Sequence, residues 1–422
     1  MRSSVWAQVA GALVGCAALR GCGVFTGWTA LGGGAALGGW SGIGEATLNG
    51  FVRTTQSAVE ELQGLVIGQD PRRVNSIAAR LLASVSLDAG HIHRTAIAAI
   101  EVACWDILGK SLGVPIYQLL GGRVRDSVAA YANGWYRAER TADAFLTCAQ
   151  AAVNAGFRAL KLDPFGTAQG FVREADLRIA EDILRTLREQ LPVDTLLLVD
   201  AHARFTAAEA IRIARRLAPI EIYWLEEPTT RDRQEAVRDV AVASPIPIAT
   251  GEMYDTVGQF FTLAEDGGVN IFQPEPMSLG GISNTLAVAN LAQAHGSWIA
   301  PHQSGGPVAT AVCLQLAAAV PNFLIQEHFD PFNEPWTRDL VSWHPTVNPL
   351  NGHLSLPDGP GLGLEFNEMV ARAHPYDPDA YLNVSRPGWE HRLGERIPAH
   401  GQLGSEGRAG AAHGEGSRLR GS

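Results

Sequence analysis

The stretch DTLLLVDAHARF, residues 194–205, runs through a short apolar segment and then reaches an acid, Asp200, and an imidazole, His202. A short apolar run of this kind is typical of a buried strand. Residues two apart on a strand point to the same face of the sheet, so we expect both side chains to enter one space. The stretch therefore predicts a core strand that carries polar groups at its carboxyl end.

Similar apolar runs recur between Ser127 and Phe329, and segments of helical length separate them. Two such segments are AAEAIRIARRLAP, residues 207–219, and SNTLAVANLAQAHG, residues 283–296. Regular alternation of strands and helices predicts βα units and a parallel sheet, which makes the fold class α/β. Eight strands suit a closed barrel better than an open sheet. In such barrels the active site lies at the carboxyl ends of the strands.

Acidic residues end three successive strand-like runs at equal spacing. They are Asp200, Glu226 in WLEEP and Glu252 in ATGE, each 26 residues after the one before. Any one alone could be an ordinary exposed acid, but together they bring three carboxylates to one rim, where their repulsion favours a cation among them. Oxygen ligands suit Mg²⁺, so we predict a magnesium site. Glu227 is the weaker candidate of its pair because only Glu226 keeps the equal spacing.

Basic side chains stand at two further strand ends. Lys161 lies in FRALKLDPFG and His302 in WIAPHQSGG, on what a barrel would make opposite sides of its mouth. With a metal ion between them, these groups could take or give a proton on either face of a bound substrate. Glu327, in LIQEHF at the eighth run, adds a hydrogen-bonding or acidic group. The predicted site therefore combines metal ligands with acid/base groups.

The composition limits the partners and the location. The 422-residue chain holds 33 basic and 43 acidic side chains, for a net charge of -10, and has no basic run, so we expect no nucleic-acid partner. Its five cysteines are scattered, which fits a reducing, cytoplasmic compartment. No apolar run reaches the roughly 18 to 20 residues that span a bilayer, so we expect no membrane partner.

Both ends of the chain differ from its middle. Residues 1–41 are Gly-rich and of low complexity, and we interpret them as an atypical or misassigned start. The alternative is a short export or lipoprotein signal in MRSSVWAQVAGALVGCAAL. Residues 381–422 are Gly-rich and aperiodic, which predicts a disordered tail.

An ordered series of motifs resembles the mandelate racemase and muconate lactonizing enzyme branch of the enolase superfamily. The series is AAIEVACWDILGKSLGVPIYQLLGG, LKLD, VDAH, WLEEPT, TGE, QPEPMSLGGI, APHQSGGPV and NFLIQEHF. The resemblance implies a modified (β/α)8 TIM-type barrel over residues 126–380. It also implies an N-terminal α+β capping domain, of which residues 42–125 are a remnant. Members of this branch commonly form dimers or octamers, so we expect a homo-oligomer.

The resemblance also implies roles for individual residues. Asp200, Glu226 and Glu252 match the Mg²⁺ ligands, and His302 and Lys161 match the acid/base groups. The superfamily pairs a Lys or His base with Mg²⁺ that stabilises an ene-diolate.

The Asp-x-His formed by Asp200 and His202 resembles the acid-sugar dehydratases, whose substrates are sugar acids or their lactones. In this interpretation His302 removes the proton beside the substrate carboxylate, and His202 helps to expel the β-hydroxyl. The product would be a 2-keto-3-deoxy acid.

Three features depart from the family pattern. Glu275 stands in QPEP where an Asp usually pairs with the catalytic His, so the partner of His302 is one methylene longer. Asp163 stands where a Lys-x-Lys motif would place its second lysine, which argues against a strict two-base racemase. The strands expected before GIGEATLNG, residues 42–50, are not legible in residues 1–41. A missing strand there would compromise the lid that covers the site.

Three function classes follow from these observations. We favour a Mg²⁺-dependent sugar-acid dehydratase. An isomerase that uses the same chemistry, either a cycloisomerase or lactonizing enzyme or an epimerase, is the alternative. The third class is a non-catalytic relic with a damaged cap. All three share one barrel, so the fold alone does not separate them.

Overall fold

The structure is a computed structural model that describes residues 13–14, 22–26, 40–48, 51–85, 90–230, 232–376, 384–385 and 387–389. The expected export signal, most of the low-complexity start and the tail beyond residue 389 lie outside the described residues.

The described residues form twelve strands and thirteen α-helices. The strands are β1 Leu13–Val14, β2 Cys22–Thr26, β3 Ile43–Thr47, β4 Ser127–Ala132, β5 Ala159–Leu162, β6 Leu196–Asp200, β7 Trp224–Glu226, β8 Ile248–Thr250, β9 Ile271–Phe272, β10 Trp298–Ile299, β11 Gln326–His328 and β12 His353–Ser355. The helices are α1 Val52–Val66, α2 Val74–Ser84, α3 His91–Leu112, α4 Ile116–Leu119, α5 Ala142–Asn154, α6 Glu174–Gln190, α7 Ala207–Leu217, α8 Gln234–Ala243, α9 Val257–Asp266, α10 Pro276–Leu279, α11 Ile282–Ala294, α12 Pro307–Ala319 and α13 Glu368–Ala373. Short 3₁₀ segments cover Ala218–Ile220 and Pro335–Leu340.

Eight parallel strands form the barrel. They run in chain order from β4 to β10, and β11 lies on the other side of β4. Phe323 forms a parallel bridge with Ile299 of β10, and the N–H of Leu324 donates to the Ile299 carbonyl at 2.8 Å, which closes the circle. The antiparallel strand β12 pairs with β4 outside this circle. The α/β barrel expected from the alternating pattern is confirmed.

Helix α7 illustrates why the segments between the strands become helices. The Thr206 side chain accepts from the backbone N–H of Glu209 and satisfies one of the first donors of the helix. The buried residues Ala210, Ile213, Ala214 and Leu217 follow the spacing that places apolar side chains on one face. Burying a large aliphatic side chain of this kind contributes roughly 1.5–3 kcal/mol. This face packs on the barrel while the arginines of the helix remain outside.

A layer of inward-facing apolar side chains fills the barrel. It contains Tyr131, Ala159, Leu198, Trp224, Ala249, Ile271, Ala300 and Ile325. The rings of Tyr131 and Trp224 meet edge to face at 5.6 Å. The barrel is therefore a packed core with an apolar floor and contains no open channel along this layer.

The N-terminal cap has its own sheet and core. Strands β1, β2 and β3 pair antiparallel, and helices α1, α2 and α3 share an apolar cluster. No strand was legible in residues 1–41 of the sequence, but β2 pairs with β3 over five residues. The CGVFT sequence of β2 is short and lies among glycine-rich segments, so only its pairing with β3 identifies it as a strand. The lid region is more complete than expected.

Buried carboxylates join the cap to the barrel. Glu45 of β3 accepts from the backbone N–H groups of Gly306 and Ala309, at 2.5 and 3.0 Å, at the start of α12. Glu101 of α3 accepts from the N–H groups of Ile282 and Ser283, both at 2.9 Å, at the start of α11. Helix N-termini present unpaired donors and a partial positive charge, so a buried acid is stabilised there. These contacts fix the cap above the barrel mouth.

Residues near the end of the chain make two contacts that composition did not predict. Trp389 lies in the segment expected to be disordered from residue 381, yet its side chain is only 3% exposed. Its indole N–H donates to the Gly166 carbonyl at 3.1 Å, and Ser385 accepts from Gln169 at 3.1 Å. A single aromatic ring can anchor a glycine-rich segment where it meets the barrel, and average composition does not detect this.

Candidate active site

A polar layer lies directly above the apolar floor of the barrel. Side chains on one face of a strand recur every second residue. Lys161, Asp200 and Glu226 follow the floor residues Ala159, Leu198 and Trp224 by two positions each. Alternation along the strands therefore brings the predicted polar residues to one level at the carboxyl ends.

The three predicted metal ligands meet in this layer. Asp200, Glu226 and Glu252 each offer a carboxylate oxygen, and these atoms lie within 4.8 Å of one another. Asp200 and Glu226 pair in register across β6 and β7. Glu227 points elsewhere, since it accepts from Thr250 Oγ1 at 2.9 Å and from the Gly251 N–H at 2.6 Å.

Lys161 lies among carboxylates and is only 2% exposed. Its Nζ is 2.5 Å from Glu226, 2.9 Å from Glu327 and 3.4 Å from Asp200. Burial disfavours the charged ammonium, but Glu226 and Glu327 outweigh burial and raise the pKa of Lys161 well above its usual value. Lys161 therefore lies at the predicted ligand cluster, where neighbouring carboxylates stabilise its charge, and its acid/base role stays a prediction.

The polar layer carries more negative than positive charge. Five carboxylates and three potential cations share it: Asp200, Glu226, Glu252, Glu275, Glu327, Lys161, His202 and His302. Burial, together with the charges of Asp200 and Glu327, raises the pKa of Glu226 to about 7 despite the ammonium beside it. A divalent cation among the three ligands would offset this excess, and an all-oxygen donor set fits a hard ion. The residues present fit a divalent cation.

His302 forms a dyad with Glu275 in spite of the longer side chain. Nδ1 of His302 lies 2.9 Å from Glu275 Oε2, and Nε2 lies 2.9 Å from Glu252 Oε2. Glu275 also accepts from the Met277 N–H at 2.9 Å, which holds its carboxylate in place. Burial opposes the imidazolium, but Glu252 and Glu327 raise the pKa of His302 well above its usual value.

His202 reaches the site through a turn that the strand argument did not anticipate. Strand β6 ends at Asp200, and His202 has a φ of 47°, in the left-handed region that side chains rarely adopt. The Asp200 carboxylate accepts from the His202 N–H at 2.7 Å and stabilises this turn. The turn leaves His202 Nε2 3.5 Å from Asp200 Oδ2. The two side chains share one space, but the cause is a strained turn and not the alternation of a strand.

A second carboxylate anchors the other side of the His202 ring. Nδ1 of His202 lies 2.7 Å from Asp163 Oδ2, and Arg204 contacts the same oxygen at 2.5 Å. Burial disfavours the imidazolium, but the charges of Asp200 and Asp163 raise the pKa of His202. Asp163 is fully buried, and Arg204 and His202 lower its pKa in spite of that burial.

Family comparisons cover both parts of the chain. Residues 35–121 match the mandelate racemase / muconate lactonizing enzyme N-terminal domain. Residues 144–370 match the enolase C-terminal domain-like family. The chain belongs to the mandelate racemase / muconate lactonizing enzyme family. The resemblance inferred from the motifs is thereby confirmed.

Individual members of this family align over most of the chain. A "D-galactonate dehydratase family member" of Streptomyces bingchenggensis is 33% identical over 82% of this chain and 89% of that protein. A "D-galactarolactone cycloisomerase" of Agrobacterium fabrum is 36% identical over 75% of this chain and 84% of that protein. The crystal structure of a mandelate racemase/muconate lactonizing enzyme from Jannaschia sp. CCS1 superposes with a TM-score of 0.78 at 29% identity, covering 86% of this chain and 96% of that one.

Several contacts in this member of the family were missed by sequence reasoning. Asn133 donates to Glu327 Oε1 at 2.7 Å, and the Gln303 N–H donates to Glu327 Oε2 at 2.9 Å, so Glu327 is held rigidly. The Trp389 ring meets the His202 ring edge to face at 6.0 Å. Asn133 lies two residues after Tyr131 of the barrel floor, so the alternation along β4 could have predicted that its side chain enters the site. No local signal connects Trp389 with the barrel.

Among the residues that the structure describes, no helix is both long enough and apolar enough to cross a membrane.

Proposed function

We propose that this protein is a Mg²⁺-dependent dehydratase of sugar acids. One observation supports this most strongly: two imidazoles, each held at Nδ1 by a carboxylate, present Nε2 to the ligand cluster from different sides. His302 approaches Glu252, and His202 approaches Asp200. Loss of water from a β-hydroxy acid requires one group that accepts a proton and one that donates a proton.

Asp200, Glu226 and Glu252 would hold the metal ion. When bound there, Mg²⁺ would bind the substrate carboxylate and stabilise the negative charge that develops on it as the neighbouring C–H bond breaks. Lys161 would add a fixed positive charge on the same side, since its ammonium lies against Glu226 and Glu327.

His302 is the proposed base. Nε2 would take the proton from the carbon next to the substrate carboxylate, and the electron pair of that C–H bond would remain on the substrate. Glu275 would stabilise the imidazolium that results, since it accepts from Nδ1. A base must be neutral before it reacts. The charge of a metal ion held by Glu252 would offset the carboxylates that raise the pKa of His302, and would so lower that pKa.

His202 is the proposed acid. As the bond between the β-carbon and its hydroxyl oxygen breaks, His202 would deliver a proton so that the group leaves as water. The resulting enol then becomes a 2-keto-3-deoxy acid, and the net change is the loss of one water. Asp163 keeps a proton on Nδ1 and directs Nε2 toward the ligand cluster, which fits this role.

A cycloisomerase remains the second candidate. The 36% identical relative named D-galactarolactone cycloisomerase favours it. Such an enzyme would remove the same proton but would keep all atoms of a lactone substrate in the product.

A homo-oligomer and a cytoplasmic location also stay predictions.

The test is incubation of the purified protein with Mg²⁺ in D₂O and a panel of aldonic acids, aldaric acids and their lactones. Proton NMR follows exchange at C2, and semicarbazide detects 2-keto products. We expect exchange together with a keto product. His302→Asn should abolish both, whereas His202→Asn should keep exchange at C2 and lose the keto product.

His295→Asn is the matched control, since this histidine is exposed beyond the end of α11. It should retain full activity. An isomeric product without any keto acid would replace the dehydratase proposal with the cycloisomerase. If no acid or lactone undergoes exchange with Mg²⁺ present, both proposals are wrong.

A further inference from the structure

A second cluster of metal-ligating side chains lies outside the barrel mouth. His328, Asp330 and His344 each offer one ligand atom, and these atoms lie within 4.8 Å of one another. His328 follows Glu327 directly on β11, and successive side chains on a strand point to opposite faces. Glu327 faces the candidate active site, so His328 faces away from it toward Phe157 and the segment that follows β11. The two clusters are therefore separate.

The hydrogen bonding of His328 is incomplete in a way that suits a ligand. The residue is only 2% exposed, and its Nε2 has no hydrogen-bond partner. Its other ring nitrogen bonds to the backbone of Pro345, and this contact must be to the carbonyl because proline has no N–H. A histidine whose Nδ1–H donates to a backbone carbonyl has its Nε2 lone pair free, which is the usual arrangement of a metal-bound imidazole.

His344 is also poorly satisfied. Neither of its buried ring nitrogens makes a hydrogen bond of good geometry, and Nε2 has only a long ion-pair contact of 3.4 Å with Asp330 Oδ2. Leaving buried polar atoms unpaired is costly, so two neighbouring imidazoles of this kind require an explanation. A small cavity borders His328, Asp330 and His344, with room for about one water-sized group.

We propose that His328, Asp330 and His344 bind a transition-metal ion of the Zn²⁺ class. Two imidazole nitrogens and one carboxylate form a ligand set that suits Zn²⁺ and its neighbours better than Mg²⁺ or Ca²⁺. Arg338 supports this choice, because its Nε and Nη2 contact the two Asp330 oxygens at 2.5 and 2.9 Å. The guanidinium orients the carboxylate, as outer partners of metal ligands commonly do, and each carboxylate oxygen keeps a second lone pair for an ion.

The ion would act as a structural clamp. Asp330 and His344 flank the 3₁₀ segment Pro335–Leu340, and His328 belongs to the barrel wall. Binding would therefore attach the segment after β11 to the strand that carries Glu327.

The test uses Co²⁺ and Zn²⁺ with a full-length variant in which Asp200→Asn and Glu226→Gln disable the first cluster. We expect the variant to bind about one equivalent of Co²⁺, with the intense ligand-field absorption of a low-coordinate nitrogen site. Zn²⁺ should displace the Co²⁺ and should raise the melting temperature of the protein. Mg²⁺ should give none of these effects. Adding His344→Gln should weaken binding by more than the roughly 10- to 100-fold that loss of an outer partner costs.

Asp330→Asn is the second variant, in case His344→Gln fails to fold, and His295→Gln is the control at an exposed histidine. Less than half an equivalent of bound Co²⁺ would overturn the proposal. So would unchanged Co²⁺ affinity in both His344→Gln and Asp330→Asn. Activity is not the readout, so this result is independent of the dehydratase proposal.

Discussion

Glu226→Gln should stabilise the metal-free protein at high pH while removing its response to Mg²⁺. Glu226 has an ordinary pKa of 4.5 when unfolded, and burial with its acidic neighbours raises the pKa in the folded protein to about 7. The folded state then binds the extra proton, so stability falls as pH rises from about 4.5 to 7 and the loss is complete above that range. At 1.36 kcal/mol for each pH unit, the ionised carboxylate costs about 3 kcal/mol.

The amide removes this cost without removing the packing. Glutamine keeps one acceptor oxygen, so it can replace either Glu226 Oε1 beside Lys161 Nζ or Oε2 beside Trp224 Nε1, now at 2.5 and 3.0 Å, but not both. Lys161 retains Glu327 and Asp200 as partners. In EDTA, we expect the two proteins to be about equally stable near pH 5. The variant should be more stable by about 3 kcal/mol at pH 8.

The assay is chemical and thermal unfolding in EDTA at several pH values, repeated with Mg²⁺. Mg²⁺ should raise the stability of the original protein and leave the variant almost unchanged, because the variant lacks one charged ligand. Glu189→Gln, at an exposed acid of α6, should show no pH-dependent difference. A stability difference between Glu226→Gln and the original protein that is the same at pH 5 and pH 8 would refute the reasoning.

Three further predictions concern other contacts. Glu275→Gln removes the anion bonded to His302, so kcat should fall by about 10²- to 10⁴-fold. The limb of the pH–rate profile that reports His302 should move to lower pH, and an unshifted profile would contradict this. Trp389→Ala should cost about 3–5 kcal/mol of stability and reduce kcat, whereas Trp389→Phe should keep most of both, as unfolding and steady-state assays would determine. Gly44→Ala should lower the melting temperature because its Cβ would lie 1.8 Å from the Ala99 carbonyl, while Gly64→Ala, in open space within α1, should raise it.

The sequence predicted those parts of the site that depend on chain periodicity. Asp200 and Glu226 lie at strand ends, and equal βα repeats bring strand ends together in any closed barrel. The contacts that sequence reasoning missed depend on distance in the chain or on local strain. Trp389 reaches His202 from almost 190 residues away. The left-handed turn at His202 is stabilised by a hydrogen bond from its N–H to the Asp200 carboxylate. Periodicity carries no information about either.

The replacement of the second lysine by Asp163 has two consequences that act in the same direction. A lysine there would offer a base on the side of the site opposite His302, and an aspartate bonded to Arg204 and His202 cannot. Burial disfavours the imidazolium of His202, but Asp200 and the same aspartate raise its pKa, which favours the proton-donating form on that side. A racemase needs proton acceptors on both faces of the substrate, whereas an elimination needs an acceptor and a donor. One change of charge, at a position two residues after Lys161, therefore favours elimination over racemisation within an otherwise shared barrel.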